Sequence, residues 1–321
     1  MKSNSFKEKV NNFDFCKKIK YCAIVSCALI LIGIIIISIF GFNLGIDFTG
    51  GTVLNVKVGS KLEEDNNFQI VSSQIKDIFT EKGYKIGYIQ QEGVGEEAQI
   101  AIRFQDKEKL TESQMQAEIE EIKDELKTGL HLNGETLSVT VSNGTRIAAS
   151  ASKTLLINSI LAILIAVILI LIYIAIRFEL LSGLVAIMML LHDVLIMCAL
   201  VAIFRIQINA GFIAALITII GYSINNVIIV FDRIRENKKK EIYKDYPSDA
   251  LVNVSIKQVL NRSILTALTT FVSVLALTIL GVSSIREFLL PILFGLLSGV
   301  YSSTMLAGPI WAKINEKTMK K

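Results

Sequence analysis

Long apolar runs dominate the pattern of hydrophobic and polar positions along this chain. A membrane-spanning helix needs about 20 predominantly apolar residues. Six runs reach that length, at residues 21–40, 154–176, 180–204, 208–231, 263–281 and 288–310. The first run is followed by a long, mostly polar stretch, whereas the other five are crowded together. The pattern therefore predicts an α-helical integral membrane protein with six transmembrane helices.

The polar stretch between the first and second runs has the periodicity of a folded domain. Apolar residues alternate with polar ones in TGGTVLNVKV, YKIGYIQQ, EAQIAIRF and ETLSVTVSN, as in half-buried strands, whereas FQIVSSQIKDIFTEKG and TESQMQAEIEEIKDELKTG have helical spacing. The order βαββαβ is that of an α+β ferredoxin-like domain. We therefore expect an N-terminal tail (1–20), helix 1 (21–40), an external domain (41–153), helices 2–6 (154–311) and a C-terminal tail (312–321).

The distribution of charged residues predicts how the chain is oriented in the membrane, and its residue types exclude several kinds of site. Lysine and arginine cluster in both tails and in the loop after the fourth run. Because such residues stay preferentially in the cytoplasm, both termini are expected inside and residues 41–153 outside. This topology explains the basic runs, so no nucleic-acid site is inferred. The expected external domain has no cysteine, no metal-ligand cluster and no nucleophile–base set. We therefore expect no disulfide, metal, cofactor or enzymatic activity there.

Ionisable and amide side chains interrupt the apolar runs at three places. His192 and Asp193 lie in the middle of the third run, Asn226 lies in the fourth, and Arg262 opens a polar stripe with Thr266 in the fifth. Such groups are costly in a bilayer and commonly mark ion pathways. Three alternatives stay open, because Arg262 could reach the headgroups, Asn226 could hydrogen-bond between helices and Asp193 could have a purely structural role. His192 faces another side of its helix and could simply pack there.

Glycines form two further patterns. The sixth run carries Gly295, Gly299 and Ser303 at four-residue spacing, which is typical of close helix packing. The stretch GIDFTGG follows the first run, and we expect its Gly45, Asp47, Gly50 and Gly51 to form the exit turn into the first strand. In this turn Asp47 would accept hydrogen bonds from nearby backbone N–H groups.

Five of these motifs together resemble one family. GIDFTGG, LHDV, GYSIN with VFDRIREN, NRSILTALTT and GLLSGVYSSTMLAGPIW are similar, in this order, to motifs of the SecF subunits of the protein translocase, within the resistance-nodulation-division superfamily. The resemblance implies a subunit of the bacterial cell membrane that pairs with SecD. It also implies use of the proton or sodium motive force to help move preproteins through the SecYEG channel, with membrane lipid as its other surroundings.

One position departs from the family pattern. The family's fourth-span motif usually reads Gly-Tyr-Ser-Ile-Asn-Asp, whose Asp is implicated in ion conduction, whereas this chain has Asn226 there. An amide does not exchange a proton near neutral pH, although its oxygen can coordinate a cation. Arg262 and Thr266 match the family's ion-pathway positions. The coupling carboxylate is then Asp193 or one in SecD, or the ion differs. The alternatives are an autonomous cation-coupled transporter of small molecules and a membrane sensor or enzyme.

Overall fold

The computed structural model describes residues 13–63, 66–93, 95–105, 107, 112–142, 145–147, 149–281 and 283–319. Six of its helices are long and apolar enough to cross a membrane, which confirms the predicted fold class. The helices are α1 (Phe15–Phe40), α2 (Ile46–Thr49), α3 (Asn67–Glu81), α4 (Glu112–Gly129), α5 (Ala149–Arg177), α6 (Leu180–Ile203), α7 (Ala210–Lys238), α8 (Ser248–Leu280), α9 (Ser283–Tyr301) and α10 (Gly308–Met319); the spans are α1, α5, α6, α7, α8 and the last pair.

The last span is interrupted by a π-helical segment, Ser302–Ala307, between α9 and α10. In a π-helix each backbone hydrogen bond spans five residues instead of the four of an α-helix, so the helix is locally wider. Such segments are rare and occur frequently at functional sites. The segment begins near the middle of the bundle, where the polar side chains of the span collect.

The fourth and fifth spans are longer than their apolar runs predict. α7 continues to Lys238 and α8 already begins at Ser248, so most of the predicted loop is helical. Buried Asn237 explains part of this, because its amide Nδ2 lies 3.0 Å from Ser255 Oγ and 2.8 Å from Gln258 Oε1. An apolar cluster around Trp311 adds to it. We call this end of the bundle, opposite the extramembrane domain, the distal end.

The domain between α1 and α5 has the predicted ferredoxin-like order. Its antiparallel sheet runs β2-β3-β1-β6, and α3 and α4 cover it. Phe79, Ile100 and Phe104 are completely buried in its hydrophobic core. The strands are β1 (Gly51–Lys57), β2 (Ile86–Glu92), β3 (Gln99–Phe104), β4 (His131–Leu132), β5 (Glu135–Thr136), β6 (Thr140–Val141) and β7 (Thr145–Ile147).

The predicted last strand is divided. Its first residues form β5, which pairs with β4 in a small hairpin closed by Asn133 and Gly134, and both turn residues have positive φ, 53° and 84°. Asn-Gly is the preferred sequence for such a two-residue turn. Within the rest of the predicted strand, β6 pairs with β1, and a further short strand beyond its end, β7, also pairs with β1.

The GIDFTGG stretch joins the domain to the bundle, with one difference from the prediction. Asp47 does not bond within its own turn; its Oδ2 accepts a hydrogen bond from the backbone N–H of Ala210, at 2.9 Å, at the first residue of α7. A carboxylate is favourable there because a helix begins with unpaired N–H groups and positive dipole charge. Gly51 has φ 143° and a Cβ would lie 2.4 Å from Phe104 O, so glycine is required.

A buried ion pair makes a second contact between the domain and the bundle. Arg103 of β3 extends its Nη1 to Gln207 Oε1, at 3.1 Å, and to Glu287 Oε2 of α9, at 3.3 Å. Asn209 donates to the same carboxylate oxygen at 2.6 Å. The Arg103 and Glu287 side chains are 18% and 8% exposed. The domain is thus connected to both α7 and α9 at the end of the bundle opposite the distal end.

Candidate ion site in the membrane

The centre of the bundle contains a fully buried carboxylate, Asp193 of α6. Its Oδ2 accepts hydrogen bonds from Ser223 Oγ at 2.5 Å and Ser302 Oγ at 2.8 Å. Its Oδ1 accepts one from Ser298 Oγ at 2.6 Å and lies 2.9 Å from His192 Nδ1. In the described part of the chain, no lysine or arginine contacts this carboxylate. Asp193 is therefore surrounded by hydroxyls and one imidazole in place of water.

Three helices supply these groups, and the helix geometry explains why they converge. Ser298 and Ser302 are four residues apart, so both lie on the face of the sixth span that points to α6. Ser223 comes from α7, which packs against the sixth span beside Gly299. A Cβ on Gly299 would lie 3.5 Å from the α-carbon of Ser223 and 3.7 Å from Asp193 Oδ2. Gly299 thus lines the site.

Asn226, at the position where the chain departs from the family pattern, faces the same small space. It is 2% exposed, and its Nδ2 has no hydrogen-bond partner among the described residues. A Cβ on Gly299 would lie 3.4 Å from this atom and 3.7 Å from Asp193 Oδ2. The structure therefore brings Asn226 and Asp193 together, although they are distant in sequence. An unpaired amide N–H can donate a hydrogen bond to an acceptor that enters this space.

His192 does more than pack, in contrast to one interpretation of the sequence. Although it precedes Asp193 on the helix, its ring turns back so that Nδ1 meets the carboxylate and Nε2 lies 2.9 Å from Ser26 Oγ of α1. Ser26 also lies 3.3 Å from Tyr301 Oη, which donates to the carbonyl oxygen of Cys22 at 2.7 Å. A hydrogen-bonded chain therefore runs from Asp193 to α1.

The structure does not bring Arg262 and Thr266 into this site. Both are exposed on α8, and Arg262 makes no hydrogen bond or ion pair within the described residues. The hydroxyls that follow along the helix bond backward, Thr269 to Thr266 O at 2.8 Å and Ser273 to Thr269 O at 2.9 Å. The fifth span therefore presents a polar stripe on the outside of this chain, at membrane depth.

The remaining members of the predicted packing motif occupy two different environments. A Cβ on Gly295 would lie 2.4 Å from Ile219 Cγ1 of α7, so this glycine permits the close contact of the two helices. Ser303 is completely buried and bonds to Val300 O of its own helix at 3.1 Å. No group of three or more metal-binding side chains occurs within the described ranges.

Sequence reasoning identified Asp193 and Asn226 but missed the hydroxyls between them. Ser223, Ser298 and Ser302 are ordinary residues of apolar helices, where a serine more often bonds to its own backbone. The four-residue spacing of Ser298 and Ser302 was the only available signal. Ser26 gave none, because a lone serine in an apolar run is common.

Comparison with known proteins supports the similarity suggested by the motifs. The chain matches the family "Protein export membrane protein SecD/SecF, C-terminal" over residues 130–317 and the "SecD/SecF GG Motif" over residues 35–61. It is 35% identical over 315 residues to the protein translocase subunit SecF of Alicyclobacillus acidocaldarius, covering 96% of this chain and 95% of that one. The SecF subunit of Borreliella burgdorferi is 35% identical over 307 residues, 95% of this chain and 98% of the relative.

Two longer relatives are also similar. The protein translocase subunit SecDF of Bacillus subtilis is 36% identical over 312 residues, and the match covers 96% of this chain but 39% of that protein. The crystal structure of SecDF, a translocon-associated membrane protein from Thermus thermophilus, superimposes with a TM-score of 0.74 at 29% identity. That match covers 95% of this chain and 39% of the solved one. The chain therefore corresponds to less than half of each fused protein.

Proposed function

Because this chain belongs to the SecD/SecF family of protein export membrane proteins, we propose that it is the SecF-type subunit of a Sec translocase. In this role it pairs with a SecD-type subunit and uses a proton or sodium gradient to assist the movement of preproteins through SecYEG. It acts without enzymatic chemistry of its own. The family membership supports the Sec pathway, and the interior of the bundle supports the ion coupling.

The observation that carries the coupling proposal is the burial of Asp193. A carboxylate at bilayer depth is costly unless it is paired, neutralised or functional. Asp193 is 0% exposed and its neighbours are three serines and His192. An apolar residue would fill the same space at less cost. A carboxylate held by movable hydroxyl donors is the arrangement expected where a cation or proton is bound and released.

The exposed stripe on α8 supports pairing with a second membrane subunit. Arg262 and Thr266 lie on the outside of this chain, and a stripe of this kind is unfavourable against lipid. In the fused relatives named SecDF, this chain matches 39% of the length. A SecD-type subunit covering the stripe would bury Arg262 beside the bundle, where its fixed positive charge would face an ion path.

The charge pattern supports the orientation. The distal end carries basic residues of the α7–α8 connection and of the C-terminal helix, including Lys238, Lys240 and Lys313. By the preference of such residues for the cytoplasm, the distal end and both termini lie inside and the ferredoxin-like domain lies outside the bacterial membrane. There the domain can meet an emerging preprotein.

The test is preprotein export into inverted membrane vesicles that lack the native subunit and carry variants of this chain. Asp193→Asn is expected to lose the gradient-dependent part of export, whereas Asp124→Asn, a carboxylate on α4 that is 75% exposed, keeps it. The proton and sodium gradients are collapsed separately. Wild-type export by Asp193→Asn would remove the coupling proposal, and failure to co-purify a SecD-type subunit in mild detergent would remove the pairing.

A further inference from the structure

The hydrogen-bonded chain from Asp193 to α1 assigns a role to residues outside the carboxylate itself. We propose that His192 and Asp193 bind and release one proton as a pair, and that the Ser26 hydroxyl turns between His192 and Tyr301 to stabilise the two states. The inference deepens the proposed function, because it names the proton as the ion and the His192 imidazole as the group that binds it. It rests on the proposed function only for its use in export.

The donors and acceptors along the chain allow two arrangements. Tyr301 directs its own O–H to Cys22 O, at 2.7 Å, so towards Ser26 it offers only lone pairs. The single Ser26 hydrogen can therefore go to Tyr301 Oη, at 3.3 Å, or to His192 Nε2, at 2.9 Å, but not to both. Which one it takes depends on whether Nε2 carries a proton.

In the empty state, His192 is neutral and Asp193 is an anion. Nδ1–H donates to Asp193 Oδ1, so the carboxylate has four donors in total, and Ser26 donates to the bare Nε2. Three serine hydroxyls and one ring N–H replace the water that a carboxylate requires, since each oxygen accepts two of them. A buried negative charge is tolerated here because it is fully hydrogen-bonded.

In the loaded state, one proton from the gradient binds Nε2. The ring becomes an imidazolium, Nε2–H donates to Ser26 Oγ, and the Ser26 hydrogen swings to Tyr301 Oη. The Nδ1–H bond to Asp193 is kept, and the pair becomes electrically neutral overall. Release reverses each step, so one proton enters and one leaves, and no other bond changes. The switch therefore changes the net charge of the site by one unit inside the membrane.

The surroundings contain few other groups that could hold the proton instead. Among the described residues, Tyr301 of α9 supplies the other titratable side chain next to this hydrogen-bonded chain, its ring centroid 6.2 Å from that of His192, whereas Cys22 takes part through its backbone carbonyl oxygen. α7 contributes Ser223 and Asn226, neither of which titrates near neutral pH. Asn226 Nδ2 is buried and has no hydrogen-bond partner in the described structure. The position where the family usually has Asp thus carries no competing acid.

The test uses ring ¹⁵N NMR of histidine-labelled full chain in lipid nanodiscs. The chain has two histidines, and replacing exposed His131 with Gln leaves His192 as the only signal. Ring ¹⁵N shifts separate the two neutral tautomers from the imidazolium. We expect the Nδ1–H tautomer at high pH and protonation of Nε2, with Nδ1 always protonated, as pH falls.

Variants of the hydrogen-bonded chain between Asp193 and α1 supply the decisive comparison. Ser26→Ala and Tyr301→Phe each remove a hydrogen bond from one or both states, and each should move the midpoint of the Nε2 titration by about 0.5–1 pH unit. Ser38→Ala is the matched control on α1, since Ser38 bonds only its own helix at Ile34 O. A midpoint in both variants equal to that of Ser38→Ala would overturn the switch.

Three further outcomes separate this inference from the proposed function. An Nε2–H tautomer at high pH, or a change in the His192 signals when Na⁺ replaces K⁺ at constant pH and ionic strength, would overturn the proton pair. Export is measured separately with the same variants. A normal proton titration combined with absent export would count against the translocase role and leave the pair intact.

Discussion

Gly295→Ala should destabilise the bundle strongly, although it adds one methyl group and favours the helix. The added Cβ would lie 2.4, 2.5 and 2.7 Å from Cγ1, Cγ2 and Cδ1 of Ile219. Carbon atoms in good contact are about 3.5–4.0 Å apart, so Ile219 must withdraw by roughly 1 Å or more. Its branched side chain is stiff at χ1 and completely buried, so α7 and α9 must separate instead.

The magnitude follows from two opposing effects. Overpacking of a well-packed core costs about 1–3 kcal/mol, and contact with all three side-chain carbons places this case at the upper end. Replacing a helical glycine with alanine regains about 1 kcal/mol of helix propensity. We expect a net loss of about 2 kcal/mol in the free energy of unfolding. Gly299→Ala is the matched control, because its Cβ meets no atom closer than 3.4 Å, and its unfolding should be unchanged or slightly less favourable.

The assay is reversible unfolding in mixed micelles, followed by the fluorescence of the single tryptophan, buried Trp311. A double mutant sharpens it, because Ile219→Ala removes all three clashing carbons. Ile219→Ala alone should cost about 2–5 kcal/mol through its cavity. Combined with Gly295→Ala, the loss should fall short of the sum by at least about 1 kcal/mol. Equal stability of Gly295→Ala and Gly299→Ala, or strict additivity, would refute the packing argument.

Three further predictions concern charged groups. Arg262→Met should reduce export to the level of vesicles that lack this subunit, while membrane insertion of the chain stays intact. Arg262→Lys should restore little export, because a lysine lacks the planar guanidinium; wild-type export by the Arg262→Met variant would mean that the Arg262 side chain only reaches the headgroups. Arg103→Met should lower the free energy of unfolding by roughly 3 kcal/mol, because it leaves Glu287 buried without its cation. Adding Glu287→Leu should recover part of this loss; strictly additive effects of the two substitutions would mean that the two side chains do not interact. The hydrogen bond from Lys107 holds the pKa of Glu118 below its usual 4.5, so this carboxylate stabilises the domain above pH 4.5 and the stabilisation is lost as the pH falls below that value. In unfolding followed by circular dichroism, Glu118→Gln should weaken this dependence of stability on acid pH. An unchanged dependence would contradict the prediction.

Periodicity predicted the fold because burial in each element is periodic. The alternating strands and the two amphipathic helices gave the ferredoxin-like domain, and apolar length gave the spans. It failed where the decisive contact lies elsewhere in the chain. The polar ends of α7 and α8 stay helical because Asn237 bonds across to Ser255, and an apolar window contains no such information. The Asn133–Gly134 turn was readable from its residues, but the long alternating pattern after it favoured one strand.

The candidate site was predictable only in part, for a related reason. Asp193 stands out in an apolar run because an ionised group is expensive there. A serine does not, since its hydroxyl can bond its own helix, as Ser303 does with Val300 O at 3.1 Å. Which hydroxyl faces inward depends on helix rotation and on the approach of α7 to α9. The role of Gly299 is therefore visible only in three dimensions.

Asn226 gains a physical meaning from its position beside Asp193. Two carboxylates around one small buried space cannot both ionise readily, so a chain with Asp at this position would share a proton between them. Here the second group is an amide, which adds no charge and has no proton to share. The proton must then be shared with a different partner, and the group within reach is the His192 ring, 2.9 Å from Asp193 Oδ1. On this reasoning the amide does not uncouple the site, because it transfers the partner role from α7 to the neighbouring residue on α6.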